Sequence, residues 1–114
     1  MKFSTLGKLI GLSALTVAFS TSAFAAVDAD AASALVKKSG CLKCHAIDKD
    51  KKGPSLKKIA AKFKGKADAE SQIVTTLTKS PKVKMADGSE EEHKAIDSKD
   101  AAEIKNVAGW ILTQ

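Results

Sequence analysis

The stretch Cys41-Leu42-Lys43-Cys44-His45 decides how this chain folds. Two cysteines separated by two residues and followed at once by histidine have the spacing of a c-type haem attachment site. The gap lets both thiols reach vinyl groups on one porphyrin edge, and the histidine then falls beneath the ring, where an imidazole nitrogen binds iron. The chain has no other cysteine. We therefore expect covalent haem c attached through Cys41 and Cys44, with His45 as the proximal iron ligand.

Three other uses of the cysteine pair compete with haem attachment. A thioredoxin-like dithiol would need a βαβ setting, which the sequence does not show. A structural zinc site would need four ligands, and His93 is the only further Cys or His residue, at an unusual spacing. A short-range disulfide in an oxidising compartment is the third alternative.

The N-terminal residues have the pattern of an export signal. Two lysines accompany an apolar run over residues 9–19, and Ala23-Phe24-Ala25 matches a small-residue cleavage motif. The run is shorter than the roughly 20 apolar residues that span a bilayer, which disfavours a membrane anchor. We expect residues 1–25 to be a cleaved signal peptide and residues 26–114 to be one small periplasmic domain, in the compartment where haem c is attached.

Helical periodicity dominates the remaining chain, and no alternating apolar run predicts a strand. Asp97 or Ser98 is the expected N-cap of the last helix. Residues 82–96 lack periodicity and are expected to form a long loop, which in a compact domain is typical of a functional segment. The fold is therefore predicted to be all-α, with helices at about 29–39, 56–63, 68–79 and 99–113.

With these segments in place, the chain resembles the class I c-type cytochromes, specifically the small monohaem bacterial kind. The resemblance rests on the haem motif continued as Ala46-Ile47-Asp48, on Gly53-Pro54-Ser55, on Ala60-Ala61-Lys62-Phe63 and on the terminal Val107-Ala108-Gly109-Trp110-Ile111-Leu112. It implies about four short helices wrapped around one covalently bound haem, with the terminal helices crossing. It also implies that the Pro54 carbonyl accepts a hydrogen bond from Nδ1 of His45, which would fix the tautomer and raise the basicity of the ligand.

The resemblance further implies a sixth iron ligand from the loop before the last helix. Met85 is the only methionine after the signal peptide, and it lies in that loop. A methionine ligand raises the reduction potential. His93 is the rival, because it stands closer to the position of the family's ligand, and bis-histidine ligation would lower the potential. An open sixth site is the remaining alternative.

Charge is distributed unevenly along the chain. All basic residues are lysines, with fourteen lysines against four acidic residues from Lys37 to Lys84, and three against seven from Met85 onward. A lysine-rich surface near the haem steers acidic partners, whereas export and the absence of arginine argue against nucleic acid.

We therefore expect a monomeric electron carrier without catalytic residues, serving acidic redox proteins such as an oxidase, a reductase, a quinol-oxidising complex or a multihaem cytochrome. The alternative is a haem protein with bis-histidine ligation or an open or labile sixth site that binds small ligands or reduces peroxide. A thiol–disulfide oxidoreductase at Cys41 and Cys44 is the third hypothesis.

Overall fold

The computed structural model describes residues 17–18 and 26–114. The predicted signal peptide and its cleavage site fall almost wholly outside the described residues. From residue 26 onward the chain forms four α-helices and one β-hairpin: α1 (Ala29–Lys38), α2 (Leu56–Phe63), α3 (Ala69–Lys79), β1 (Lys82–Lys84), β2 (Glu90–Glu92) and α4 (Ala101–Leu112). The all-α prediction is confirmed, with this small hairpin as an addition.

The first two helices begin where side-chain caps are available. The Asp28 carboxylate accepts a hydrogen bond from the Ala31 amide, and the Ser55 hydroxyl accepts one from the Lys58 amide. Such caps satisfy amide groups that have no partner inside the helix. Asp68 precedes α3 as predicted, but its carboxylate contacts the Gln72 side chain instead of the helix amides.

The last helix begins later than predicted. Asp100, rather than Asp97 or Ser98, is the N-cap, because its carboxylate accepts hydrogen bonds from the amides of Ala102 and Glu103. The Ser98 hydroxyl instead donates to the Glu103 carboxylate and accepts from the Asp100 amide. The two predicted caps therefore belong to the connection that leads into α4.

Residues 82–96 are not wholly irregular, contrary to the prediction. β1 and β2 pair antiparallel, with Lys82 opposite Glu92 and Lys84 opposite Glu90. Gly88 has φ +87° in the connecting turn. Cross-strand pairs of opposite charge stabilise such a ribbon without any apolar face. For this reason the hairpin has no hydrophobic signature in the sequence.

Helix α4 is the centre of the core and packs against α1, α2 and α3. Val107 and Ala108 are fully buried, and Trp110 is 9% exposed. The predicted packing of the terminal helices is present, and a pair of hydrogen bonds reinforces it. The Asp28 amide donates to Oδ1 of Asn106 at 2.9 Å, and Nδ2 of Asn106 donates to the Asp28 carbonyl at 2.8 Å.

Candidate haem site

The cysteine motif lies directly after α1 because Gly40 reverses the chain there. Gly40 has φ +74°, a left-handed conformation that glycine adopts without strain. Residues Cys41–Lys43 then form one 3₁₀ turn, and the Cys41 carbonyl accepts hydrogen bonds from the amides of Cys44 and His45. This turn brings both cysteines, half-buried and with free thiols, to the wall of one cavity.

His45 is held by the loop that follows it. Its Nδ1 lies 2.6 Å from the Pro54 carbonyl oxygen. A carbonyl oxygen can only accept, so Nδ1 carries the proton and Nε2 keeps its lone pair for a metal. Gly53 allows this approach, since a Cβ at Gly53 would lie only 2.7 Å from Cε1 of His45. The hydrogen bond expected from the resemblance is therefore present, and Gly53 is a requirement that the sequence analysis missed.

Asp50 stabilises the same loop through hydrogen bonds. Its carboxylate accepts hydrogen bonds from the Ser55 amide, at 2.9 Å, and from the Lys58 ammonium group. The bond from Lys58, followed by the bond from Ser55, lowers the pKa of the Asp50 carboxyl. Lys51 donates a further hydrogen bond to the Leu42 carbonyl at 2.6 Å, which ties the loop back to the cysteine motif. These contacts hold Gly53 and Pro54 beside His45.

The cavity has a volume of about 550 Å³ and mainly apolar walls. This size and lining are typical of a site for a large cofactor. Cys41, Cys44 and His45 form one side, and the helices supply apolar side chains elsewhere. These include Leu56, Ile59 and Phe63 from α2, Ile73 and Leu77 from α3, and Val107 and Ile111 from α4. The donor set, the fixed imidazole and the apolar walls all fit haem c.

His93 lies across the cavity from His45. The two ring centroids are 6.1 Å apart, and the ring planes are inclined by 38°. His93 Nδ1 is buried and has no hydrogen-bond partner in the part of the chain that the structure describes. Burial, and then the facing His45, lower the pKa of His93 and so favour its neutral form. A neutral imidazole beside a cofactor cavity is suited to metal ligation.

Met85 lies at the other end of the hairpin. The His93 amide donates to the Pro81 carbonyl at 2.8 Å, which places His93 at the open end, whereas Met85 bonds to Ser89 and Gly88 in the turn. Met85 lies four residue steps beyond Pro81 in extended chain, or about 13 Å at roughly 3.3 Å per residue. Met85 still lines the cavity wall. The two predicted sixth ligands therefore approach different parts of the cavity.

Two further observations concern the redox-dithiol and zinc-site alternatives to haem attachment. Burial raises the pKa of the Cys41 thiol, whereas a reactive dithiol needs a lowered one. Among the residues that the structure describes, no group of three or more His, Cys, Asp or Glu side chains has metal-binding geometry of its own.

Within residues 17–18 and 26–114, no helix has the length and apolar character needed to cross a membrane.

Comparisons with known proteins agree with this geometry. The family model described as cytochrome c matches residues 29–114. Cytochrome c-552 of Nitrosomonas europaea is 34% identical over an alignment that covers 99% of this chain and 98% of that protein. Cytochrome c-551 of Pseudomonas aeruginosa is 46% identical over 43 residues, which are 38% of this chain and 41% of that protein.

A solved structure is also similar. The class 1 cytochrome MtoD from Sideroxydans lithotrophicus ES-1 has 50% sequence identity and a TM-score of 0.74, and the match covers 77% of this chain and 97% of that one.

Proposed function

Because the chain belongs to the cytochrome c family and carries covalent haem c, we propose that it is a periplasmic electron carrier. In this proposal residues 1–25 are removed on export, and the domain 26–114 works as a monohaem protein. The observation that carries the proposal is the apolar cavity of about 550 Å³ with Cys41, Cys44 and His45 on one side. When bound there, haem c supplies an iron that accepts and releases one electron.

The side chains around the cavity support electron transfer in different ways. Thioether bonds from Cys41 and Cys44 keep the cofactor attached through every redox cycle. His45 presents Nε2 in a fixed orientation, because its Nδ1–H donates to the Pro54 carbonyl. The apolar helix faces keep water away, and a drier site needs less solvent reorganisation when charge changes. No side chain of the site is assigned to acid–base or nucleophilic chemistry.

We assign the sixth iron ligand to His93 instead of Met85. If His45 and His93 held one metal between them, with each nitrogen about 2.0–2.1 Å from the metal and about 1.1 Å from its own ring centre, the two ring centroids would be about 6.3 Å apart. The observed 6.1 Å between His45 and His93 agrees with this value. The separation of Met85 from His93 along the hairpin supports the same choice. Two imidazole ligands predict a lower reduction potential than His/Met ligation.

Absorption spectroscopy of the ferric holoprotein tests the ligand assignment. The expected spectrum is low-spin, without the weak far-red band of a sulfur–iron bond, and unchanged in Met85→Leu. His93→Ala should become high-spin or change its ligand. A far-red band that disappears in Met85→Leu would refute the assignment and return the role to Met85. A high-spin wild-type spectrum would favour the alternative of small-ligand binding or peroxide reduction.

Haem retention tests the proposal more broadly. The haem absorbance should remain with the polypeptide after acid denaturation and solvent extraction, because thioether bonds survive that treatment. Cys41→Ala/Cys44→Ala should lose the cofactor under the same conditions. Loss of haem from the wild type would refute covalent attachment. A ferric/ferrous couple that cycles reversibly without consuming peroxide would support the carrier function over the enzymatic alternative.

The proposed partners are acidic redox proteins of the envelope. Six lysines line the haem cavity: Lys43, Lys52, Lys58, Lys62, Lys84 and Lys94. A lysine field of this kind accelerates encounter with acidic surfaces and is weakened by salt. Electron transfer to the physiological partner should therefore slow as ionic strength rises.

A further inference from the structure

One peptide group connects the carboxylate of Asp50 to the ring of His45. The Pro54 carbonyl accepts the hydrogen bond from Nδ1 of His45 at 2.6 Å. The Ser55 amide, which is the other end of the same peptide group, donates to Oδ1 of Asp50 at 2.9 Å. Resonance makes a peptide group planar and couples its oxygen electronically to its N–H. The carboxylate, the peptide group and the imidazole therefore form one continuous chain of hydrogen bonds.

The backbone of the loop brings Asp50 to this position. Asp50 pairs with His45 across an isolated antiparallel bridge. The Gly53 amide closes the loop by donating to the Cys44 carbonyl at 2.8 Å. Ser55 is 2% exposed, so the amide end of the peptide group is shielded from water. The hydrogen bond between Ser55 and Asp50 is therefore held by the backbone on both sides.

The Asp50 carboxylate brings a negative charge to the start of this hydrogen-bond chain. Its hydrogen bonds from Lys58 and then from Ser55 hold the pKa of the carboxyl below its ordinary value, so the group is ionised at neutral pH. Hydrogen bonds in a chain polarise one another, and a negative acceptor at the N–H end leaves more negative charge on the peptide oxygen. The Pro54 oxygen thus becomes a stronger acceptor for the Nδ1–H of His45, which makes Nε2 a better electron donor.

We propose that Asp50 is a positioning residue that lowers the reduction potential by acting on His45 through the peptide group between Pro54 and Ser55. This inference rests on the proposed function, in which His45 binds the haem iron. A metal-bound histidine commonly donates directly to a carboxylate, and here one peptide group stands between the two. Lys58 opposes the effect, because its ammonium group draws part of the carboxylate charge toward Oδ2. No proton is transferred along the hydrogen-bond chain, and only its charge distribution changes.

Proton NMR of the ferrous holoprotein and voltammetry together test the inference. Asp50→Asn keeps an oxygen that can accept from Ser55 but loses the charge, whereas Lys58→Met removes the ammonium group and leaves the carboxylate. Asp48→Asn is the matched control, because it removes the same charge from another exposed carboxylate of this loop. The two readouts are the resonance of the His45 Nδ1–H and the reduction potential at about 1 M salt, where the screening length is about 3 Å.

In Asp50→Asn the Nδ1–H resonance should move upfield, because its hydrogen bond weakens. The equilibrium constant for reduction should rise about twofold, or about 18 mV at about 59 mV per tenfold. Lys58→Met should move the resonance downfield and lower the potential, whereas Asp48→Asn should leave the resonance at its wild-type position.

A wild-type resonance in both Asp50→Asn and Lys58→Met would overturn the proposal, since the hydrogen bond of His45 would then not respond to the carboxylate. Equal changes of potential in Asp50→Asn and Asp48→Asn would overturn it as well, because only net charge would then matter. Failure of the proposed function is distinguishable, because the wild type would then lack a reversible ferric/ferrous couple.

Discussion

Replacing Gly53 by alanine tests how the chain positions His45, the proposed proximal ligand. The added Cβ would lie 2.7 Å from Cε1 and 3.0 Å from Nδ1 of His45. Non-bonded carbon atoms rest at about 3.5–4.0 Å, so the ring has to retreat by about 1 Å. Because Pro54 follows Gly53 directly, this retreat also lengthens the 2.6 Å contact between Nδ1 and the Pro54 carbonyl beyond hydrogen-bond range.

Two measurable effects follow from the loss of this bond in Gly53→Ala. The free energy of unfolding should fall by about 0.5–1.5 kcal/mol, because the hydrogen bond from Nδ1 of His45 to the exposed Pro54 carbonyl is lost. The reduction potential should rise, because an imidazole without this acceptor is a weaker donor and stabilises ferric iron less. Denaturant unfolding followed by circular dichroism measures the first effect, and an equilibrium redox titration measures the second.

Gly109→Ala is the matched control for Gly53→Ala. Its Cβ would meet only Cγ2 of Val27, at 3.1 Å, far from His45 along the chain. Alanine is favoured over glycine inside a helix by about 1 kcal/mol, which offsets the contact. The control should therefore leave the reduction potential unchanged. An unchanged potential and stability in Gly53→Ala as well would refute the reasoning, because the loop would then be able to move without disturbing His45.

Three further predictions concern the framework around the site, each measured by denaturant unfolding of the holoprotein. Ser39→Ala should lower the free energy of unfolding by about 1–3 kcal/mol, because the Asp97 amide loses its acceptor, a hydroxyl 2.9 Å away on a residue that is 2% exposed. Asp100→Ala should cost about 1 kcal/mol by uncapping α4, whereas Asp68→Ala should cost less, because that carboxylate caps no backbone amide; equal losses would contradict the capping argument. Asp50→Asn should flatten the acid dependence of the free energy of unfolding. Because the folded-state pKa of Asp50 lies below its unfolded value, the stabilisation by Asp50 is present above about pH 4 and is lost as pH falls through the folded-state pKa. An unaltered pH profile would count against this stabilising role of Asp50.

The arrangement of Cys41, Cys44 and His45 was predictable because it depends on residues that are close together in the sequence. Cys41, Cys44 and His45 are adjacent in the chain, and one 3₁₀ turn after Gly40 sets their geometry. The role of Pro54 came from resemblance, and the structure contains the expected hydrogen bond. Gly53 was missed as a requirement, because its small size matters only once the ring of His45 lies against it.

The distal side was harder to predict, because its geometry depends on a hairpin without a hydrophobic pattern. β2 consists of three glutamates and pairs with a strand of two lysines and one valine. Its only local signal is Asp87-Gly88, a dipeptide typical of hairpin turns. With the segment treated as a loop, the resemblance favoured Met85 as the sixth ligand and left His93 as the rival. Once the strands are paired, the two residues stand at opposite ends of a ribbon.

The hairpin also links the position of His93 to the position of the charge on Lys94. Lys94 immediately follows His93, so the segment that positions the His93 imidazole also positions the ammonium group that lies close to Gly40. A shift of the hairpin by one residue would exchange the faces of its side chains. It would move His93 away from His45 and Lys94 away from Cys41 together. The positions of His93 and Lys94 therefore depend on one strand register, which the opposite charges of Lys82 and Glu92 and of Lys84 and Glu90 help to maintain.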